Sequence, residues 1–348
     1  MRRSLILGFL VVVLLLEGGA RLLAPHIPGQ LLWDNQFTQD KADQIDRAGQ
    51  VDVVFIGSSV VNAGIDSGFV GEESRFSSGY NAAIPSTTPS TWKVWSRDLV
   101  WPDLCPEVVV IGISIRDYND ANPGISYDLR EYLPSAGRLG LYGQFSWASL
   151  EQQVGRFSTF VRIRSRLREP ENVARYLVWG RTPGWPVTVL TDGGRFQGFD
   201  NNVYQVPTQA GLDQLAQEVF VNFSVGGNED RAVRAMIEDA TGLGMRVVVV
   251  RMPTLNEELS VVLPDGMADV LAFEEAIGQL GVDYNIPVIR YVDMDDDRQF
   301  FSDLYHLNLS GTELLSRRLG SDLQRLFPEP TEHRCGIRPA EPEVAGRP

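Results

Sequence analysis

Cysteine and histidine are scarce in this chain: two cysteines, Cys105 and Cys335, and three histidines in 348 residues. Two cysteines cannot build a disulfide framework, and neither a CxxC pair nor a zinc-type cysteine and histidine spacing occurs. Basic clusters are also missing. The formal net charge is -14, and outside the extreme N-terminus no group of Lys and Arg interrupts the negative field, which excludes nucleic acid as a partner. No cofactor loop is written in the sequence. Gly57 to Gly64 fits neither a phosphate-binding GxxxxGK loop nor a dinucleotide GxGxxG turn. The acidic run Asp293–Asp297 has Arg298 where a calcium loop requires glycine, so it reads as a solvated loop and not as a metal site. The glycine after the nucleophile in a GxSxG elbow is absent from Gly57-Ser-Ser-Val-Val61.

What is present begins with a composition of 43% hydrophobic and 22% charged residues, sufficient for the core of one elaborated domain or two small ones. Met1-Arg-Arg-Ser4 precedes twelve apolar or glycine positions, Leu5 to Leu16. At about 1.5 Å per residue this run covers roughly 18 Å of a hydrocarbon core about 30 Å thick. Spanning therefore needs Leu22 and Leu23 as well, with Glu17 and Arg21 paired four residues apart. Residues 1–28 read as an uncleaved single-pass membrane anchor with Arg2 and Arg3 cytoplasmic. The alternative is a signal peptide cleaved near Gly18 and Ala20. Both place the folded part, residues 29–328, outside the cytoplasm. The Pro/Glu-rich tail, 329–348, is expected to be disordered.

A polar connector is expected from Gln36 to Gln50. Strands are expected at Asp52–Ile56, Tyr80–Ile84, Glu107–Ser114, Met245–Val250 and Ile286–Val292. Helices separate them: one capped by Thr88 with Pro89 at its first position, then Asp230–Leu243 and Met267–Leu280. A last helix, Gly311 to about Phe327, has Ser310 and Glu313 as a capping box. This alternation predicts an α/β fold: a three-layer α/β/α arrangement around a central, mostly parallel sheet of about five strands. Between about 118 and 227 the pattern breaks into a helical insertion, with helices expected at Leu150–Arg168 and Gln209–Phe223.

In such sheets ligands sit beyond the C-terminal strand ends, where Ser58 and Ser59 stand. A serine there serves equally as a helix cap or a nucleophile. A nucleophile needs a base, and the base needs a third group to hold its tautomer. His26 abuts the apolar segment and His333 lies in the tail, which leaves His306 in the folded core. Asp303, three residues earlier in Ser302-Asp-Leu-Tyr-His-Leu-Asn-Leu-Ser-Gly311, can accept from the imidazole's other N–H.

These residues resemble the SGNH (GDSL-type) hydrolase superfamily, and among its members the membrane-anchored bacterial ones. Phe55-Ile-Gly-Ser-Ser59 is similar to the family's first block, in which the last serine is the nucleophile, and Asp303-Leu-Tyr-His306 is similar to its last block. The resemblance implies Ser59, Asp303 and His306 as the catalytic set. It implies an oxyanion hole from the N–H groups of Ser59 and Ser86, the latter where the family usually has glycine. The third block departs. Gly112-Ile-Ser-Ile-Arg-Asp-Tyr-Asn-Asp120 has Arg116 in place of the expected asparagine, with Ser114 and Asn119 as nearby substitutes. Loss of one such donor costs about 2.7–4 kcal/mol of transition-state stabilisation. Arg116 has a structural alternative, a salt bridge to Asp117 or Asp120.

The implied chemistry is acyl transfer without a cofactor, from an acyl ester or acylated glycan substrate, to water as an esterase or to a sugar hydroxyl as an O-acyltransferase. Proteins of polysaccharide biosynthesis are the implied partners, with the membrane as a further one through the N-terminal helix. Trp147, Tyr176, Trp179, Trp185, Phe196, Phe199 and Tyr204 of the insertion are either sugar-stacking platforms or its own core. A non-catalytic module that binds glycan or protein on the same scaffold is the reading from a different class.

Overall fold

The computed structural model describes residues 2–23, 33–121, 158–161, 174, 178 and 190–330. The chain divides into two units, residues 1–40 with 127–188 and residues 41–126 with 189–348. Residues 189–227 of the expected insertion therefore fall with the α/β unit. The helix expected at Leu150–Arg168 is described only at 158–161, and Trp147, Tyr176, Trp179 and Trp185 lie outside the described residues. So do His26, His333, Cys335 and the tail from 331 onward.

In the first unit, helix α1 (Arg2–Leu23) is continuous. The expected pair forms, with Arg21 Nε donating to Glu17 Oε1 at 2.8 Å. Glu17 also accepts from Ser158 Oγ at 2.9 Å and from the N–H groups of Thr159 and Phe160 at 3.0 and 3.2 Å. The carboxylate thus caps the turn at 159–161. Among the described residues no helix is long and apolar enough to cross a membrane.

Helix α2 (Trp33–Ala48) replaces the expected polar connector. Phe37, Lys41 and Ile45 are all buried and four residues apart, so they share one helical face. The Lys41 ammonium donates to the Asn81 carbonyl, and burial holds it well below the usual lysine range.

The second unit is built on five parallel strands: β1 (Val53–Ile56), β2 (Gly79–Asn81), β3 (Val108–Ile113), β4 (Arg246–Arg251) and β5 (Val288–Arg290). Their order is β2-β1-β3-β4-β5. β1 and β3, with neighbours on both edges, are buried throughout, as their unbroken apolar runs require. Helices α3 (Ser59–Gly64) and α4 (Ser67–Glu72) follow β1, and α5 (Pro89–Trp95) follows β2. Then come α6 (Gln209–Glu218), α7 (Asn228–Gly242), α8 (Met267–Tyr284) and α9 (Leu309–Leu326). α4 packs with α9 and α5 with α7, so helices cover both faces and the predicted three-layer α/β/α fold is met.

One local expectation changes and a second is refined. The cap of α9 is Asn308, which accepts from Gly311 N–H at 3.1 Å, whereas Glu313 pairs with Arg317. The Asn308 amide also donates to the carbonyls of Gln299 and Phe301, which fixes it at the helix entry. The acidic run is a turn in which Asp293 and Asp296 are exposed, as expected of a solvated loop, but its carboxylates are also engaged. Asp295 meets the buried Arg251 at 2.5 Å, Asp293 meets Arg318, and Asp297 caps the turn Arg298–Phe300.

The strand order places the reversal between β1 and β3, the position at whose C-terminal ends such sheets bind ligands. Ser59 leaves β1 there, and the turn 114–120 leaves β3. Gly57 and Gly112 allow α3 to descend onto this edge, because a β-carbon on either would lie 2.3 Å from Val61 Cγ2. Gly112→Ala is therefore expected to destabilise by about 1–3 kcal/mol through overpacking. Urea unfolding measures this, and an unchanged midpoint would contradict the close approach.

Candidate active site

Ser58 and Ser59 divide the two roles that the sequence leaves open. Ser58 is the N-cap of α3, accepting from Val60 N–H at 3.4 Å, and its hydroxyl favours the ionised form of the nearby Asp117 carboxyl. Ser59, the first helical residue, places Oγ 2.9 Å from His306 Nε2. On the far side of the imidazole, His306 Nδ1 lies 2.7 Å from Asp303 Oδ2. An ionised carboxylate only accepts, so Nδ1 carries the ring proton and Nε2 accepts from the Ser59 hydroxyl.

Asp303 is itself fixed by its loop. Its Oδ1 accepts from the N–H groups of Tyr305 and His306 at 3.0 and 2.8 Å. Burial works against ionisation of this carboxyl, but the imidazole and the two N–H donors hold it below the usual aspartate range. The loop is pinned at its ends, with Ser302 N–H donating to the His306 carbonyl at 2.8 Å and Phe301 bridging to Leu307. Ser59 and His306 are 9% and 7% exposed.

The oxyanion candidates are less uniformly placed. After β2 the chain continues alongside β1, with Ala82 N–H on the Phe55 carbonyl and Ile84 N–H on the Gly57 carbonyl, at 2.9 and 3.0 Å. Two residues further on each side stand Ser86 and Ser59. Ser86 has φ 56°, the left-handed conformation of a glycine position. Ser114 Oγ instead donates to Asp117 Oδ2 at 2.7 Å. The Asn119 amide donates to the Val219 carbonyl at 2.9 Å while its oxygen accepts from Ala121 and Ser224. Both side chains are thus engaged in shaping the turn after β3. Arg116 lies with its guanidinium carbon 5.7 Å from the Tyr305 ring, against the His306 loop. Asp120, an alternative partner for Arg116, accepts from Gly227 and Glu229 N–H at the start of α7.

Three features of the site escape a reading of the sequence. Asp117 is buried beneath Ser58, and burial raises its carboxyl above the usual range despite Arg116 and the Ser114 and Ser58 hydroxyls. Phe199 stacks on His306, with ring centroids 4.2 Å apart and planes at 14°. Arg195 joins Asp66 to Asp200 from a side chain 2% exposed. Of the aromatic candidates, Phe196 packs edge-on against Phe199, and the Tyr204 hydroxyl bonds Glu258. A cleft of about 770 Å³ borders the Asp303 side of the triad, lined by Asn201, Asn202, Gln205, Thr208 and Tyr305 among others. Among the described residues no group of His, Cys, Asp and Glu could hold a metal ion.

No family model and no curated protein matches this chain. Among solved structures, the chain is similar to an acylhydrolase candidate from Bacteroides fragilis NCTC 9343 at 13% identity and a TM-score of 0.40, over 85% of this chain and 98% of that one. A likeness at that level says nothing of this chain's chemistry.

The depressed Asp303 carboxyl sets the sign of a pH effect. Its stabilisation is present above the unfolded value of about 3.9 and is lost as pH falls through the folded value. Asp303→Asn should therefore lower stability most near neutral pH, with the deficit shrinking in acid. Urea unfolding at about pH 7 and about pH 2 checks this. Ser86→Gly should relieve left-handed strain worth about 1 kcal/mol and raise the unfolding midpoint.

Proposed function

We propose that this chain is a serine-dependent acyl-transfer enzyme of SGNH type, working outside the cytoplasm through an acyl-Ser59 intermediate. The observation that carries the reading is the unbroken relay from Ser59 Oγ to His306 Nε2 at 2.9 Å and from Nδ1 to Asp303 at 2.7 Å. As Ser59 Oγ attacks an ester carbonyl, its proton passes to Nε2, and Asp303 steadies the imidazolium. The N–H groups of Ser59 and Ser86 hold the oxyanion, with Arg116 as the charged donor of the third block. The leaving alcohol takes the proton back, and water or a sugar hydroxyl then accepts the acyl group from Ser59.

The cleft beside Asp303 mixes the amides of Asn201, Asn202 and Gln205 with apolar Val203, Val206 and Leu215, which favours a neutral acceptor with hydroxyls and an apolar face over an anionic one, consistent with a glycan and with partners that build polysaccharides. Support for the location comes from Arg2 and Arg3 preceding the apolar run. One observation favours a non-catalytic binding module instead: the third block has lost its asparagine, and Ser114 and Asn119 are engaged elsewhere.

A fluorophosphonate probe should label the wild type. Ser59→Ala and His306→Ala should lower ester turnover by roughly a thousandfold or more, with the circular dichroism unchanged. Persistent turnover in Ser59→Ala would refute the reading. Poor hydrolysis that rises on adding oligosaccharide marks the transferase; release of acetate to water marks the esterase. A reporter that is active only outside the cytoplasm, fused after residue 330, should be active.

A further inference from the structure

Asp303 fixes the His306 ring within its own plane, but one in-plane hydrogen bond leaves the ring able to tilt. Aromatic neighbours limit that tilt. Phe199 stacks on one face at 4.2 Å and 14°, and Tyr305 packs against the imidazole at 4.7 Å and 55°. Tyr305 belongs to the histidine's own loop, whereas Phe199 arrives from a segment more than a hundred residues earlier and must be secured separately.

Arg195 does this. Its Nη1 and Nη2 grip both oxygens of Asp200, the residue after Phe199, at 2.6 and 2.8 Å. Its Nε donates to Asp66 Oδ2 at 2.8 Å, and Asp66 caps α4 through its other oxygen. Nη1 also reaches the Ala63 carbonyl of α3, the helix that begins with Ser59. The backbone repeats the tie: Phe196 N–H donates to the Asn62 carbonyl, and Leu309 N–H, just past His306, donates to the Asp200 carbonyl. The Gly193-Gly194 turn before Arg195 lets this segment lie flat on β2. Gly194 has φ +80°, and a β-carbon there would sit 2.5 Å from the Asn81 carbonyl oxygen. The segment therefore binds the nucleophile's helix at one end and the base's loop at the other.

We infer that Phe199 is a positioning residue for His306, clamped by Arg195 and Asp200, whose ring face favours the imidazolium formed when Ser59 gives up its proton. The aromatic face carries partial negative charge and attracts a cation stacked on it. The stack is thus stronger after proton transfer than before it, the condition for an interaction to speed the chemical step. This inference rests on the acyl-transfer reading of the site. The groups facing the imidazole or its near neighbours are Asp303 and Tyr305 from its loop and Ser59 from α3. Arg116 lies against the Tyr305 ring, Asp117 is a further charge felt by Tyr305, Tyr204 is near Asp303, and Asp200 is held by Arg195; none of these changes in the variants below.

Phe199→Leu keeps the bulk and the exclusion of water but removes the aromatic face, and Phe199→Tyr keeps the face. Two readouts on the full chain separate the possibilities: NMR titration of the His306 imidazole, and the rate of fluorophosphonate labelling at Ser59. In Phe199→Leu the titration midpoint should move down by roughly half a pH unit and labelling should slow roughly two- to fivefold, with Phe199→Tyr close to wild type. Wild-type behaviour of Phe199→Leu in both readouts overturns the inference. So does slower labelling that accompanies a lower unfolding midpoint while the titration stays put, since that is ordinary packing. If the titration moves as expected but wild-type Ser59 is never labelled, the coupling of Phe199 to His306 stands and the acyl-transfer reading falls.

Discussion

One hydrogen bond, from Ser59 to His306, sets the demands on the rest of the fold. Its two partners are 247 residues apart, and a shift of about 1 Å between them would break it. No single element can hold that tolerance. α9, which begins just after His306, docks its first turns on the elements that carry Ser59. Thr312 Oγ1 donates to the Ala63 carbonyl at 3.1 Å, and Asp66 N–H donates to Ser316 Oγ at 2.9 Å. Side-chain hydroxyls facing backbone groups fix the axial register of a helix in a way that apolar contacts alone do not, since Leu315, Leu319 and Leu323 on the buried face could slide by a turn.

Buried charge plays the same part. Arg195 and Arg251 are each only 2% exposed and each meets two carboxylates. Such networks add little net stability over apolar packing, yet removal of one partner costs about 3–5 kcal/mol. Their effect here is geometric: Arg195 ties three segments around the triad, and Arg251 ties the end of β4 to α8 and to the loop at Asp295. Asp117 is the exception, a carboxylate held among hydroxyls under Ser58 with its ionisation opposed by burial. Its position makes Ser58 a supporting group and leaves Ser59 as the hydroxyl that meets His306.

Much of this is written locally. β1, β3 and β4 are unbroken valine-rich runs that only a strand buried on both faces tolerates, and the helices between them carry clear stripes and caps. The triad is legible because His306 is the only histidine among the described residues and an aspartate precedes it by one turn. Other features have no local signature. α2 is obscured by Lys41 in the middle of its apolar face, where a charged residue breaks the period. Asn308 outcompetes Ser310 as a cap through tertiary bonds to Gln299 and Phe301. Phe199, Arg195 and Asp200 lie in an irregular glycine- and phenylalanine-rich stretch, and their roles come entirely from contacts with distant residues.

The central claim is that Ser59 carries the acyl group between donor and acceptor. Rapid-quench intact-mass spectrometry with a small activated ester, combined with peptide mapping, tests it most directly. A mass gain of one acyl group on the peptide containing Ser59, appearing and decaying at the rate of turnover, is the expected result. Turnover with the acyl group on another residue, or with none bound at any time point, would contradict it.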